Sequence, residues 1–347
     1  MSKNVIIGAG LSGRGYLNRL LYLSKEETVF LDCDESLIRQ LRKEPSYTIR
    51  FGSEREPLKV DNYTAYTITD ERAITNIAQA ERIFISVGAD HVAELLPFLQ
   101  AALQERDRRS LDILVAENGI QPSSPLAVLR SDSRIHLSEA VIFCTTLGQC
   151  DSLDILSENL DHLPYDSVAL GHELPLYGFV QETHFSDLLE RKIYTYNCIS
   201  ACIAYLGYEK GYTDYAEAAN DIEITEKIKR IAEVINRCIT TVYNVSMQEQ
   251  TAFSEMAIRK FQNRNIKDTV ARNRDVERKL KPEERIRKPL SLMQEQGEYS
   301  RELLEVLAAA LRYGMKTKEL SQDWEKLVDF YTQGMCEEWK QVLHRCK

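Results

Sequence analysis

The run "NVIIGAGLSGRGY", residues 4–16, constrains the fold more than any other stretch of the chain. Gly8, Gly10 and Gly13 stand as G-x-G-x-x-G directly after an apolar strand-like segment, and they open a helix-like one. That context separates a dinucleotide-binding loop from a chance match. Gly8 permits the tight turn, Gly10 lets backbone approach a pyrophosphate, and Gly13 lets the helix pack on the strand. The helix N-terminus then offers free N–H groups and partial positive charge to the diphosphate. Asp32 ends the next strand, "VFLD", where an acid accepts hydrogen bonds from both ribose hydroxyls and repels a 2′-phosphate. The expected cofactor is therefore NAD. It is held by Gly8, Ala9, Gly10, Leu11, Ser12, Gly13 and Asp32, with Val87, Gly88 and Glu117 at later strand ends lining the same crevice. The other reading of Asp32 is a cap for the following helix, and of "SVGAD" an ordinary strand-to-helix turn.

The pattern around this loop predicts a parallel sheet. Apolar runs at 4–8, 28–32, 82–88, 111–118 and 135–143 read as strands, and stretches at 11–23, 34–43, 70–80 and 90–105 read as helices. Such alternation places helices on both faces of a parallel sheet. Residues 47–69 break the rhythm and read as extended pieces inserted into the domain. Extended character returns at 151–169, and after about 177 the chain is helical almost to its end. The expected architecture is α/β, a Rossmann-type dinucleotide-binding domain over 1–170 followed by a mainly α-helical substrate domain over 171–347. Two domains suit 347 residues.

Composition excludes several classes. The formal net charge of -9 is opposite to what a nucleic-acid-binding domain carries. No apolar run reaches the roughly 18–20 residues that a membrane span needs. The chain opens on a strand with no basic-then-apolar leader. Eight cysteines lie at 33, 144, 150, 198, 202, 238, 336 and 346 without Cys-x-x-Cys or zinc spacing, so no metal and a reduced, cytoplasmic setting are expected. Cys198 and Cys202, one helical turn apart, read as small filler on a buried face.

Three polar features suggest chemistry. Asn118, in "AENGI" after a strand, can donate an amide N–H to a substrate oxygen, or can satisfy its own turn. Lys192, in "LLERKIYTYNCISACIAYLG", lies in a largely apolar helix and shares a side with Tyr196, Ser200 and, roughly, Asn197. A desolvated lysine loses proton affinity and can act as a base near neutral pH. A lysine near a helix start can equally reach outward to solvent. The stretch 259–289 is dense in Arg and Lys, and reads either as a wall for an anionic ligand or as a solvated charged face.

These residues resemble the polyol-specific long-chain dehydrogenases. The likeness runs through "IIGAGLSGRGY", "AEN", "LERKIYTYNCISACIAYLG", "KFQNRNIKDTVAR" and "RKL…ERIRKPL", and covers nearly the whole chain. That family carries Lys-x4-Asn-x2-His on the helix that opens its second domain. The matching positions here are Lys192, Asn197 and Ser200, with serine in place of histidine. The resemblance implies a metal-independent oxidoreductase that interconverts a polyol or polyol phosphate and a keto sugar or its phosphate, with mannitol 1-phosphate and fructose 6-phosphate as the leading pair. It implies Lys192 as general base, Asn197 and Asn118 as donors to the developing alkoxide, and a monomer. Arg264, Lys267 and Arg272 are the expected substrate anchors. The chain departs from the pattern at "VIFCTT" and at Arg264, where proline is the family residue. A reductase of a hexuronate-type keto acid or of a free sugar, and a nucleotide-binding protein without catalysis, are the alternatives.

Overall fold

The computed structural model describes residues 3–149 and 152–347. It divides into two compact units, Met1–Leu189 and Glu190–Lys347. Cys150, one of the eight cysteines, lies outside the described residues.

Among the described residues the first unit contains twelve strands: β1 (Lys3–Ile7), β2 (Glu27–Asp32), β3 (Tyr47–Arg50), β4 (Leu58–Val60), β5 (Tyr63–Thr67), β6 (Arg82–Ile85), β7 (Leu111–Val115), β8 (Ile135–Glu139), β9 (Thr146–Gly148), β10 (Ile155–Ser157), β11 (Leu163–Asp166) and β12 (Phe179–Glu182). Six of them form one sheet in the order β5-β2-β1-β6-β7-β8, parallel at every pairing. Its inner strands β2, β1, β6 and β7 are largely apolar and buried, as a sheet covered on both faces requires. Alternate side chains feed two separate cores. Ile6, Phe30, Phe84 and Leu114 pack on one side, and Val5, Val29, Ile83, Ile113 and Leu137 on the other. The chain builds outward from β1 through β2 to β5, then returns to build β6, β7 and β8 on the other side. The reversal between β1 and β6 is the switch point where such sheets open a ligand crevice.

One expectation needs refining. Residues 47–69 do not form a single insertion. β5 is an edge strand of the main sheet, paired with β2 from Thr28↔Tyr63 to Asp32↔Thr67. β3 and β4 instead join β10 and β9 in a second, four-stranded sheet. β5 reads "YTAYT", with a single buried residue, so it lacks the apolar run that marks the inner strands. The first unit also extends beyond residue 170, because β12 pairs with β11 from Leu163↔Phe179 to Asp166↔Glu182.

The second unit is helical. Cys198–Glu209 is its central helix, with nine buried residues, and it packs against Ile222–Val242 and Arg301–Thr317. Side chains cap the long helices. Asp221 accepts from the Ile224 N–H, Ser246 from Glu249 and Ser300 from Leu303. Cys198 and Cys202 are fully buried in the central helix, as small apolar filler would be. Among the described residues no helix is long and apolar enough to cross a membrane.

The helix that follows the glycine loop is fastened by Arg19, which is completely buried. Its guanidinium donates to Ser157 Oγ at 2.8 Å, to the Glu158 carbonyl at 3.0 Å and to the Leu160 carbonyl at 2.6 Å. It faces Asp161 at 3.1 Å as an ion pair outside hydrogen-bond geometry, between the rings of Tyr16 and Phe51. Removing one partner of a buried ion pair leaves unpaired polar atoms in low dielectric, at a typical cost of about 3–5 kcal/mol. Arg19→Met should therefore lower unfolding free energy by about 3 kcal/mol or more in urea titration. A loss below about 1 kcal/mol would show that the cage holds nothing in place.

Candidate active site

The glycine loop joins β1 to its helix at the switch point. Gly8 has φ +101°, and a Cβ there would stand 2.0 Å from the Ser86 carbonyl oxygen. A Cβ on Gly13 would stand 2.0 Å from the Gly8 carbonyl. Strand, loop and helix can close this tightly only without those side chains. Gly10 is different, since a Cβ there meets nothing within 4 Å. The protein itself does not require its smallness, which fits a position kept open for the close approach of a pyrophosphate. The first helical bond, from Arg14 N–H to the Gly10 carbonyl, is 3.0 Å and leaves the preceding turn of N–H groups directed outward. Buried Arg14 holds the loop from behind, through the carbonyls of Ala9 and Leu153, both at 2.7 Å.

Asp32 lies at the end of β2 and accepts the Ala9 N–H at 2.6 Å and the Asp34 N–H at 2.9 Å. Each oxygen keeps a lone pair for another donor. The cap of the helix Glu35–Lys43 is Asp34, so Asp32 is spared that role. Across the switch point, Gly88 has φ +92° and donates its N–H to Glu117 Oε1 at 2.6 Å. Burial raises the Glu117 pKa, and the backbone N–H groups of Gly88, Val87 and Asn118 oppose the rise. Glu117 thus ties the turn after β6 to the turn after β7, where Asn118 is exposed. Leu11 is exposed, while Ser12 is half-buried.

In the second unit Lys192 is buried at 5% exposure. Its pKa is lowered to about 7, first by desolvation and then by the positive charges of Arg285 and Lys260. The helix does not continue regularly past it. Ile193–Asn197 is a π turn. In a regular α-helix of 3.6 residues per turn, residues five apart diverge by about 140°. The i→i+5 bonding of a π turn brings them back onto one side, so Asn197 follows Lys192 around the axis. The other π turn among the described residues is Gly13–Leu17, at the glycine loop. A buried network braces the second one. Gln250 donates to Thr195 Oγ1 at 3.0 Å and to Asn236 Oδ1 at 3.2 Å, and accepts from Arg191 Nε at 3.1 Å. Tyr196 is buried edge-on against Phe253, with centroids 4.8 Å apart.

Ser200 is half-buried and already engaged, since the hydroxyl of buried Tyr215 donates to Ser200 Oγ at 2.9 Å. Arg264, Lys267 and Arg272 are all exposed, and Arg272 pairs with Asp268 at 2.8 Å. The basic stretch contributes a different lysine to the interior. Lys279 is 3% exposed, and burial with the nearby Arg285 lowers its pKa to about 7. It donates to the Asn273 carbonyl. Arg285 acts on both lysines and is itself buried. Sequence reasoning flagged the stretch without singling out these two residues. The signal present was "VERKL", in which Val276 and Leu280 flank Lys279 at helical spacing and both are buried. Nothing in the sequence marked Tyr215 as the partner of position 200.

Comparison with known proteins extends the geometry. Residues 2–147 match the mannitol dehydrogenase Rossmann domain, and residues 184–342 match the mannitol dehydrogenase C-terminal domain. A mannitol-1-phosphate 5-dehydrogenase of Enterococcus faecalis is 26% identical over 94% of this chain and 90% of its own. One from Clostridium acetobutylicum is 29% identical over 84% of this chain and 81% of its own. In overall fold the chain is similar to the Pseudomonas fluorescens mannitol 2-dehydrogenase, solved as a ternary complex with NAD and D-mannitol, with a TM-score of 0.77 over 99% of this chain and 91% of that one at 12% identity. It is also similar to a D-sorbitol dehydrogenase, with a TM-score of 0.74 at 11% identity over 98% of this chain and 91% of that one. With both halves matched in order, the chain belongs to the mannitol dehydrogenase family of oxidoreductases.

Proposed function

We propose that this chain is an NAD-dependent dehydrogenase of polyol phosphates, with mannitol 1-phosphate and fructose 6-phosphate as its substrate pair. The observation that carries the reading is Lys192, a buried lysine with a pKa lowered to about 7. It sits at the first position of the Lys-x4-Asn pattern, on a helix whose π turn keeps Asn197 beside it. The names of the full-length relatives support the substrate pair. Free thiols at Cys33, Cys144, Cys198, Cys202, Cys238, Cys336 and Cys346 fit a reducing, cytoplasmic setting.

In this reading Lys192 takes the hydroxyl proton during oxidation and returns it during reduction. A base with a pKa near the working pH is effective in both directions. Asn197 and Asn118 donate N–H groups to the oxygen as it gains negative charge. Each such preorganised donor is worth about 3–4 kcal/mol of barrier. The chemistry supplied by bound NAD is hydride transfer at the carbinol carbon. The glycine loop and Asp32 hold its diphosphate and ribose. Arg285 and Lys260, whose charges act on Lys192, offer positive charge to a phosphorylated substrate, with Arg264, Lys267 and Arg272 as outer anchors. No step needs a metal.

A second reading concerns substrate, and Ser200 favours it. Its oxygen accepts from Tyr215 and keeps a proton and a second lone pair for a ligand, on a shorter side chain than the family's histidine. A keto acid of the hexuronate type, or a free polyol, would use the same hydride chemistry with a different fit at that position. NADH oxidation measured in parallel with fructose 6-phosphate, fructose and tagaturonate decides between them. Turnover with fructose 6-phosphate alone is expected. Preference for either of the others moves the substrate, and NADH binding without any turnover overturns the dehydrogenase reading.

Two variants test the residues. Lys192→Ala should bind NADH as the native chain does and lose about 10²–10⁴ in turnover. The pH profiles should run in opposite senses. Polyol oxidation needs the neutral amine and should rise through a pKa near 7, and ketose reduction needs the ammonium and should fall through it. Native turnover in the variant removes Lys192 as the base. Asp32→Ala should lower the preference for NAD over NADP, as the ratio of kcat/KM values, by about tenfold or more, because juxtaposed like charges cost several kcal/mol. A native enzyme that prefers NADPH refutes the role of Asp32.

A further inference from the structure

The geometry points to a site for a divalent transition-metal ion at Asp112, His136 and His172, at the end of the main sheet opposite the glycine loop. Asp112 is the second residue of β7, a strand that is otherwise wholly apolar. Its register partner on β8 is His136. His172 follows Gly171, the left-handed cap (φ +83°) of the short helix Ser167–Leu170. The His136 Nδ1 stands 2.9 Å from Asp112 Oδ1, and the His172 Nε2 stands 3.0 Å from Asp112 Oδ2. The two rings meet edge to face at 5.0 Å. One nitrogen from each ring and one carboxylate oxygen all lie within 4.8 Å of one another.

Without an ion, the carboxylate accepts an N–H from each ring. When those two protons leave, the same three groups become two imidazole nitrogens, one facing each oxygen of the carboxylate between them, all with lone pairs free. Ligands about 2.1 Å from an ion at right angles are about 3.0 Å apart, which is the nitrogen–oxygen spacing present here. A small swing of His172, whose side chain is 41% exposed, brings the third ligand in. The carboxylate, at 11% exposed, is held on its strand. The Arg106 guanidinium lies within electrostatic reach of Asp112, but its donors are spent on the carbonyls of Ala78, Ala80, Arg109 and Ser110. Two imidazoles and a carboxylate select zinc, cobalt, nickel or copper over magnesium or calcium. Three protein ligands leave positions for water.

The site lies at the amino ends of β7 and β8, whereas Glu117 and Asn118 follow the carboxyl end of β7. Its effect is therefore on stability and not on hydride transfer. The ion would fasten the connection after Ser167–Leu170 to two strands of the sheet, and it does not depend on the polyol-phosphate reading. An ion that binds only the folded chain raises the melting midpoint by mass action.

The test uses untagged full-length protein stripped with EDTA. Titration with Co(II), followed by calorimetry and visible absorption, should show one saturable equivalent per chain. Zn(II) should raise the melting midpoint. His136→Gln should abolish Co(II) binding and His172→Gln should weaken it at least about tenfold, about 1.4 kcal/mol. Neither variant should then respond to Zn(II) as the native chain does. Glutamine keeps a donor for Asp112, and unchanged NADH affinity with an unchanged circular dichroism spectrum shows that each variant is folded. Absence of a saturable equivalent overturns the site. Binding that persists unchanged in folded His136→Gln places the ion elsewhere and overturns it equally.

Discussion

A lysine taken out of water sets the terms for the second unit. Lys192 is buried with positive neighbours, and Lys279 shares one of them in Arg285. Desolvation and like charge both disfavour the ammonium, so each lysine gives up its proton near neutrality although free lysine does so above pH 10. The sign of the cost follows. Between about 7 and 10.5 the unfolded chain binds more protons than the folded one, so folding strengthens as pH rises through that window and the burden is greatest below it. A fold keeps such a liability only where something holds it in place. The apolar helix Cys198–Glu209 and the bonded set Arg191, Gln250, Thr195 and Asn236 supply that rigidity. An anion arriving beside these groups lessens that cost, because opposite charge favours the ammonium.

The two π turns have a common logic. Each widens a helix at a proposed ligand-facing element, the glycine loop in one case and Lys192 in the other. A regular helix from Lys192 would turn Asn197 away. The widened turn costs regular hydrogen bonding, which is offset in the second case by Gln250 bonding to Thr195 inside it. A five-residue spacing, awkward for an α-helix, is thereby brought toward one side of the axis.

How much was legible in the sequence follows from which physics acts locally. The strands β1, β2, β6 and β7 announced themselves because a sheet buried on both faces needs largely apolar strands, and β8 did so through the apolar residues that follow it to Phe143. The glycine loop was legible because Gly8 and Gly13 face contacts of 2.0 Å that no side chain survives. β5 was not, because an edge strand with one buried residue carries no such run. Lys192 was ambiguous, since periodicity could not tell a buried lysine from one that reaches outward. Lys279 was hidden in a stretch of alternating charges, where only the tertiary fold decides which lysine goes inside. The cluster of Asp112 with His136 and His172 joins residues up to 60 apart in sequence and leaves no local pattern.

Ser200 stands where the resemblance to the Lys-x4-Asn-x2-His pattern would place histidine, and its packing shows what holds it. Buried Tyr215 directs its hydroxyl at both the side chain and the carbonyl of Ser200. Desolvation raises the pKa of that phenol, so it stays a donor at any ordinary pH. Ser200 is consequently oriented, with one proton and one lone pair left for a ligand. A histidine could either donate or accept according to its tautomer. The serine keeps both capacities on a shorter side chain, which leaves room for a ligand oxygen or a bridging water. In the proposed mechanism the proton goes to Lys192, so a serine at position 200 bears on which substrate is held and not on the base.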